Sequence, residues 1–85
     1  MYILDIKPSC KKSINKTCSK NPVLRKAIEN KVDKILKNPE HYKPLKNELA
    51  GQRRVHILKS FVLIYEFSEN IVTLNFFGHH DSAYE

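Results

Sequence analysis

Arg53, Arg54, His56, His79, His80 and Tyr84 put two guanidiniums, three imidazoles and a phenol into the C-terminal half of an 85-residue chain. Cleaving RNA needs little more than that set. The 2′-hydroxyl must lose a proton, the charge on the scissile phosphate must be stabilised, and the leaving 5′-oxygen must gain a proton. Histidine titrates near neutrality and serves either transfer, while arginine grips a phosphate through two parallel hydrogen bonds. Tyrosine stacks on a base or orients the sugar. No metal or cofactor is required, and with no Cys-x-x-Cys, no His-x-x-x-His and no clustered acids, neither is expected.

Taken singly, each of these residues has an ordinary structural reading. Arg53 and Arg54 suit a strand edge, and His56, between Val55 and Ile57, suits the solvent side of a strand. Adjacent residues of a strand point to opposite faces, so at most one of His79 and His80 faces a given site. Tyr84, next to the last residue, suits a frayed end.

The elements that must position these groups follow from periodicity. Tyr2-Ile3-Leu4-Asp5-Ile6 alternates as a short strand, which Lys7-Pro8 ends. From Ser9, the apolar positions Cys10, Ile14 and Cys18 recur every four residues, giving a short helix with one narrow apolar stripe. Asn21-Pro22 is a helix start, with Asn as cap and Pro at the first helical position. Leu24, Ala27, Ile28, Val32, Ile35 and Leu36 then trace one face as far as Asn38-Pro39, where the helix ends. Residues 38–52 read as an extended connection with a turn at Leu45 to Leu49. Arg53 to Leu58, Phe61 to Phe67 and Ile71 to Phe77 are β-rich runs separated by hairpin-length breaks. In the first, Val55 and Ile57 oppose Arg54 and His56. In the second, Val62, Ile64 and Glu66 oppose Phe61, Leu63, Tyr65 and Phe67.

The expected architecture is one α+β domain over residues 1–85, in the order β-α-α-β-β-β. It is a small antiparallel sheet, a three-stranded meander plus the N-terminal strand, packed on two helices.

Composition is that of a globular domain, 41% hydrophobic and 28% charged. The longest apolar run, Phe61 to Tyr65, is far too short for the ~20 residues of a membrane span. The start of the chain lacks the basic and long apolar segments of a signal peptide, so a cytoplasmic protein is expected, with no membrane association. In a helix, Cys10 and Cys18 would lie ~12 Å apart, beyond the ~7 Å reach of a disulfide. They are expected to be reduced and buried. Residues 1–50 carry 12 basic and 5 acidic side chains and residues 51–85 carry 3 and 4, so the net +6 sits on the helical half. Such a field attracts nucleic acid, an anionic membrane or an acidic protein; a lysine-rich solvated surface is the plainer reading.

The segment from Lys43-Pro44-Leu45-Lys46 through Gly51-Gln52-Arg53-Arg54-Val55-His56, then Leu63-Ile64-Tyr65-Glu66 and Gly78-His79-His80 with Tyr84, resembles the RelE/ParE toxins of bacteria and archaea. The resemblance covers essentially the whole chain and is strongest from residue 43 onward. It implies a toxin neutralised by a cognate RelB-like antitoxin and, in the RelE branch, an endonuclease that cuts messenger RNA in the ribosomal A site. It assigns catalytic roles to Arg54, His56, His80 and Tyr84, with Arg53 in place of Arg54 if the register slips by one. Lys43, Lys46, Arg53 and His79 are assigned to RNA binding. Two departures stand out: the family often has an arginine where this chain has Val62, and no long C-terminal helix is expected before Glu85. Imidazoles occupy two positions that are usually cationic. The resemblance leaves two other functions open, a ParE-like inhibitor of DNA gyrase and a catalytically weak module that binds RNA or antitoxin.

Overall fold

In the computed structural model, residues 2–46 and 50–81 are described. Two helices cover one face of a five-stranded sheet. The elements in chain order are β1 (Ile3–Ile6), α1 (Pro8–Cys18), α2 (Pro22–Lys37), β2 (Lys43–Pro44), β3 (Arg53–Ile57), β4 (Phe61–Ser68) and β5 (Ile71–His79). Pro8 opens α1 in the first turn, where its missing N–H costs nothing. Asn21 caps α2 as its sequence predicts, its Oδ1 accepting from the backbone N–H of Leu24 at 3.1 Å.

The sheet order is β1-β5-β4-β3-β2. The meander is antiparallel, but β1 runs parallel to β5, with Ile3 opposite Ile71 and Ile6 opposite Leu74. The sheet is therefore mixed, a correction to the wholly antiparallel expectation. Its cause is topological: α1 and α2 carry the chain across one face before the meander starts at the far edge, so the first strand pairs with the last. A second difference is β2, two residues paired to Arg53 and Arg54 inside the stretch read as a connection. The expected turn at Leu45 to Leu49 falls partly on residues 47–49, outside the described residues.

The core between helices and sheet is built from Cys10, Ile14 and Cys18 of α1, Leu24, Ile28 and Ile35 of α2, and Val55, Ile57, Leu63, Tyr65, Val72, Leu74 and Phe77 of the sheet. These are the stripes that the sequence predicts. Both cysteines are buried and free, and burial pushes the Cys10 thiol up to about 11. Tyr65 is fully buried and donates its hydroxyl to the carbonyl of Pro39 at 2.6 Å, which pins the segment after α2 to the sheet. Burial pushes this phenol up to about 12, although the charge of Arg53 opposes the shift. No described helix is long and apolar enough to cross a membrane.

Candidate functional site

The face of the sheet away from the helices carries two rows of side chains. Cross-strand partners share a face, so the pairings Lys43–Arg54, Arg54–Ile64 and Ile64–Phe76 form one row, and His56–Val62 and Val62–Gly78 form the next. Val62 and Ile64 are almost wholly buried yet lie outside the helix-side core. They form the apolar floor of a basic surface.

His56 projects from the end of β3, and His80 follows directly on β5. The hairpin between β3 and β4 brings them together. Leu58 turns the chain with φ at 56°, β3 stops there, and the carbonyl of Ser60 accepts the His80 amide at 3.0 Å. The two rings lie 6.2 Å apart, centroid to centroid, tilted by 48°. One phosphate oxygen within ~3 Å of each ring would fit between them. Asp81 sits 3.2 Å from His80 Nδ1, which leaves Nε2 for the site. Its carboxylate is 89% exposed, so it adds little electrostatically.

Val62, at the position where the resemblance to RelE/ParE toxins implies an arginine, is fully buried between His56 and Gly78. No long cation enters the site at that point. Gly78 has its own reason: a Cβ placed there would come within 2.8 Å of Cζ of Phe76, whose ring folds over it. Asn75 is the extra residue of a β-bulge, with Phe76 opposite Ile64 and Leu74 opposite Tyr65. Its Nδ2 donates to Gln52 Oε1 and Glu66 Oε1, each at 2.8 Å, and closes one end of the surface with neutral and acidic groups.

The residues singled out from sequence thus separate. Arg54, His56 and His80 share the open face, with Lys43 beside Arg54. His79 points to the other side and lies against Phe61, ring centroids 4.7 Å apart. Arg53 also lies on the helix side. Its Nη1 donates to the carbonyls of Tyr42 and Glu40 at 2.8 and 3.2 Å, and its guanidinium covers the ring of Phe67. The register is fixed with Arg54, not Arg53, on the face of His56, because Val55 and Ile57 must enter the core. Lys46 is exposed just past β2. Tyr84 lies outside the described residues. Sequence reasoning missed Phe76 and the bulge at Asn75. A glycine inside a strand was the available signal, since it marks a close approach by another group. Among the described residues, no group of three His, Cys, Asp or Glu side chains could hold a metal.

The model of a family described as the ParE toxin of type II toxin–antitoxin systems, parDE, matches residues 9–84. A Methanocaldococcus jannaschii protein provisionally named toxin RelE4 is 42% identical, over 100% of this chain and 93% of its own length. Among solved structures, a copper-bound mutant toxin from Helicobacter pylori superposes with a TM-score of 0.85 at 20% identity, covering 99% of this chain and 100% of that one. The toxin–antitoxin complex RelBE of E. coli gives 0.77 at 18% identity over 93% and 96%.

Proposed function

The chain belongs to the ParE toxin family of type II toxin–antitoxin systems, and from that premise we propose that it is a ribosome-dependent messenger RNA endonuclease acting in the cytoplasm. As a toxin it has a cognate protein antitoxin as its natural partner, here proposed to be RelB-like, and its target is the messenger on the ribosome. The observation that carries the reading is the placement of His56 and His80 across from each other beside Arg54 on one open face.

In this mechanism Arg54 holds the scissile phosphate. One imidazole takes the proton of the 2′-hydroxyl, whose oxygen attacks phosphorus; the other gives a proton to the departing 5′-oxygen. The products are a 2′,3′-cyclic phosphate and a 5′-hydroxyl end. Each transfer of this kind is worth ~10²- to 10⁴-fold in rate. Tyr84 is assigned to stacking on a base, and Lys43 and Lys46 to the phosphates around the cut. With Asp81 accepting at Nδ1 of His80, Nε2 is the nitrogen left to meet the phosphate.

A second reading, a gyrase inhibitor, is favoured by Val62, which takes one cation from the phosphate site. The two are separated by adding the protein to a gyrase supercoiling reaction and to a translating extract. Cut messenger with normal supercoiling supports the nuclease; blocked supercoiling with intact messenger supports the alternative.

A further inference from the structure

Beside the proposed catalytic face, the sheet has a gap in its edge. β2 pairs only with Arg53 and Arg54, so among the described residues no strand lies on the outer side of β3 along Val55 to Ile57. The chain joins the sheet only after Tyr42, because Arg53 holds the carbonyls of Tyr42 and Glu40 on the helix side. What remains is an open groove of about 290 Å³, lined by Lys31, Tyr42, Lys43, Arg54, Val55 and His56. It shares Arg54 and His56 with the catalytic face.

Its walls differ from the rest of the basic surface. Lys26, Lys34 and Lys37 of α2 are exposed, whereas Lys31 is half-buried. No carboxylate among the described residues pairs with it. Its ammonium lies 5.9 Å from the centre of the Tyr42 ring, near the ~6 Å limit of a cation–π contact, so the ring steers the charge without neutralising it. His41 meets the same ring edge-on, 4.8 Å between centroids, and fixes its plane. An aromatic wall with cations at both ends is the combination that holds single-stranded nucleic acid, in which bases stack and phosphates meet lysines. The Tyr42 ring in the wall favours nucleic acid over an acidic peptide, because it offers a face on which a base can stack.

We propose that this groove is a second RNA subsite, holding the nucleotide that flanks the cleaved bond, with Lys31 and Lys43 on its phosphate and Tyr42 against its base. The assignment rests on the nuclease reading and extends it to two residues, Lys31 and Tyr42, that never touch the scissile phosphate. They act by positioning the strand.

The test is binding of a fluorescent single-stranded hexanucleotide, 2′-O-methylated throughout so that it cannot be cut, measured across a salt series. Lys31→Ala is expected to weaken binding about 5- to 10-fold at low salt and to flatten the salt slope by about 0.7, the loss of one phosphate contact on a single strand. Lys37→Ala removes the same charge from the exposed side of the same helix and should change both far less. Tyr42→Ala should weaken binding at least about 5-fold, and Tyr42→Phe should restore it. Equal affinities and slopes for Lys31→Ala and Lys37→Ala would overturn the subsite, as would a Lys31→Ala protein that loses antitoxin but not RNA. Messenger cutting by the unaltered protein is scored in parallel. If cutting persists while the two lysine variants bind alike, the subsite alone fails; if the unaltered protein neither binds nor cuts RNA, both readings fail.

Discussion

The ring of Phe76 occupies the space in which a side chain at residue 78 would begin, 2.8 Å from where its Cβ would lie. Phe76 and Gly78 are neighbours on one face of β5, and the strand runs on directly to His80. A methyl group at 78 must therefore push the ring aside, and the shift reaches the last turn of the strand. Gly78→Ala is expected to destabilise the protein by about 1–3 kcal/mol, the usual cost of overpacking, and to lower messenger cleavage further than the stability loss explains. Combining it with Phe76→Leu should recover part of the stability, because the two residues are in contact. A urea midpoint and cleavage rate for Gly78→Ala equal to those of the unaltered protein would refute this.

Neighbouring arginines should fail in different ways. Arg53 ties the segment after α2 to the sheet through two carbonyls, and hydrogen bonds from a charged group contribute about 1.5–3 kcal/mol in all. Arg53→Ala should lower the urea midpoint accordingly. Arg54→Ala should abolish cleavage while the protein still binds its antitoxin. The reverse pattern would mean that the register of β3 is shifted by one residue.

Alkaline pH should destabilise the fold in a way that Tyr65 reports. Its phenol and the Cys10 thiol are pushed up by burial, to about 12 and about 11. A raised folded-state value means that the contribution is complete below the unfolded value and is lost as pH rises towards the folded one. Stability should therefore fall from about pH 9 upward. Tyr65→Phe leaves the buried Pro39 carbonyl without its partner, which costs about 1–3 kcal/mol at pH 7, and it should flatten the alkaline decline. Midpoints at pH 7, 9 and 10.5 give both quantities. A Tyr65→Phe protein as stable as the parent at pH 7, or with an equally steep decline, would contradict the packing described.

What sequence made legible here was local. Asn21-Pro22 marks the start of α2, four-residue spacing marks the stripe of Cys10, Ile14 and Cys18, and alternation in β3 puts His56 opposite Val55 and Ile57. The same alternation separates His79 from His80. The parallel pairing of β1 with β5 joins the two ends of the chain and leaves no local pattern. β2 is too short for any periodicity. Arg53 and Arg54 are chemically identical, and only the burial of Val55 and Ile57 decides which of them reaches the open face. Lys31 reads as one more helix lysine until the chain folds Tyr42 beside it.

The central claim is that His56 and His80 divide the proton transfers, and one measurement tests it directly. Primer extension is run on messenger translated in a purified system, with the unaltered protein and with a His56→Ala, His80→Ala double variant whose fold and antitoxin binding are intact. The expected result is discrete cuts in translated codons with the first protein and none with the second. Cuts that persist in the double variant would place the acid–base chemistry elsewhere, and translation arrested by the unaltered protein without any cut would remove the nuclease assignment altogether.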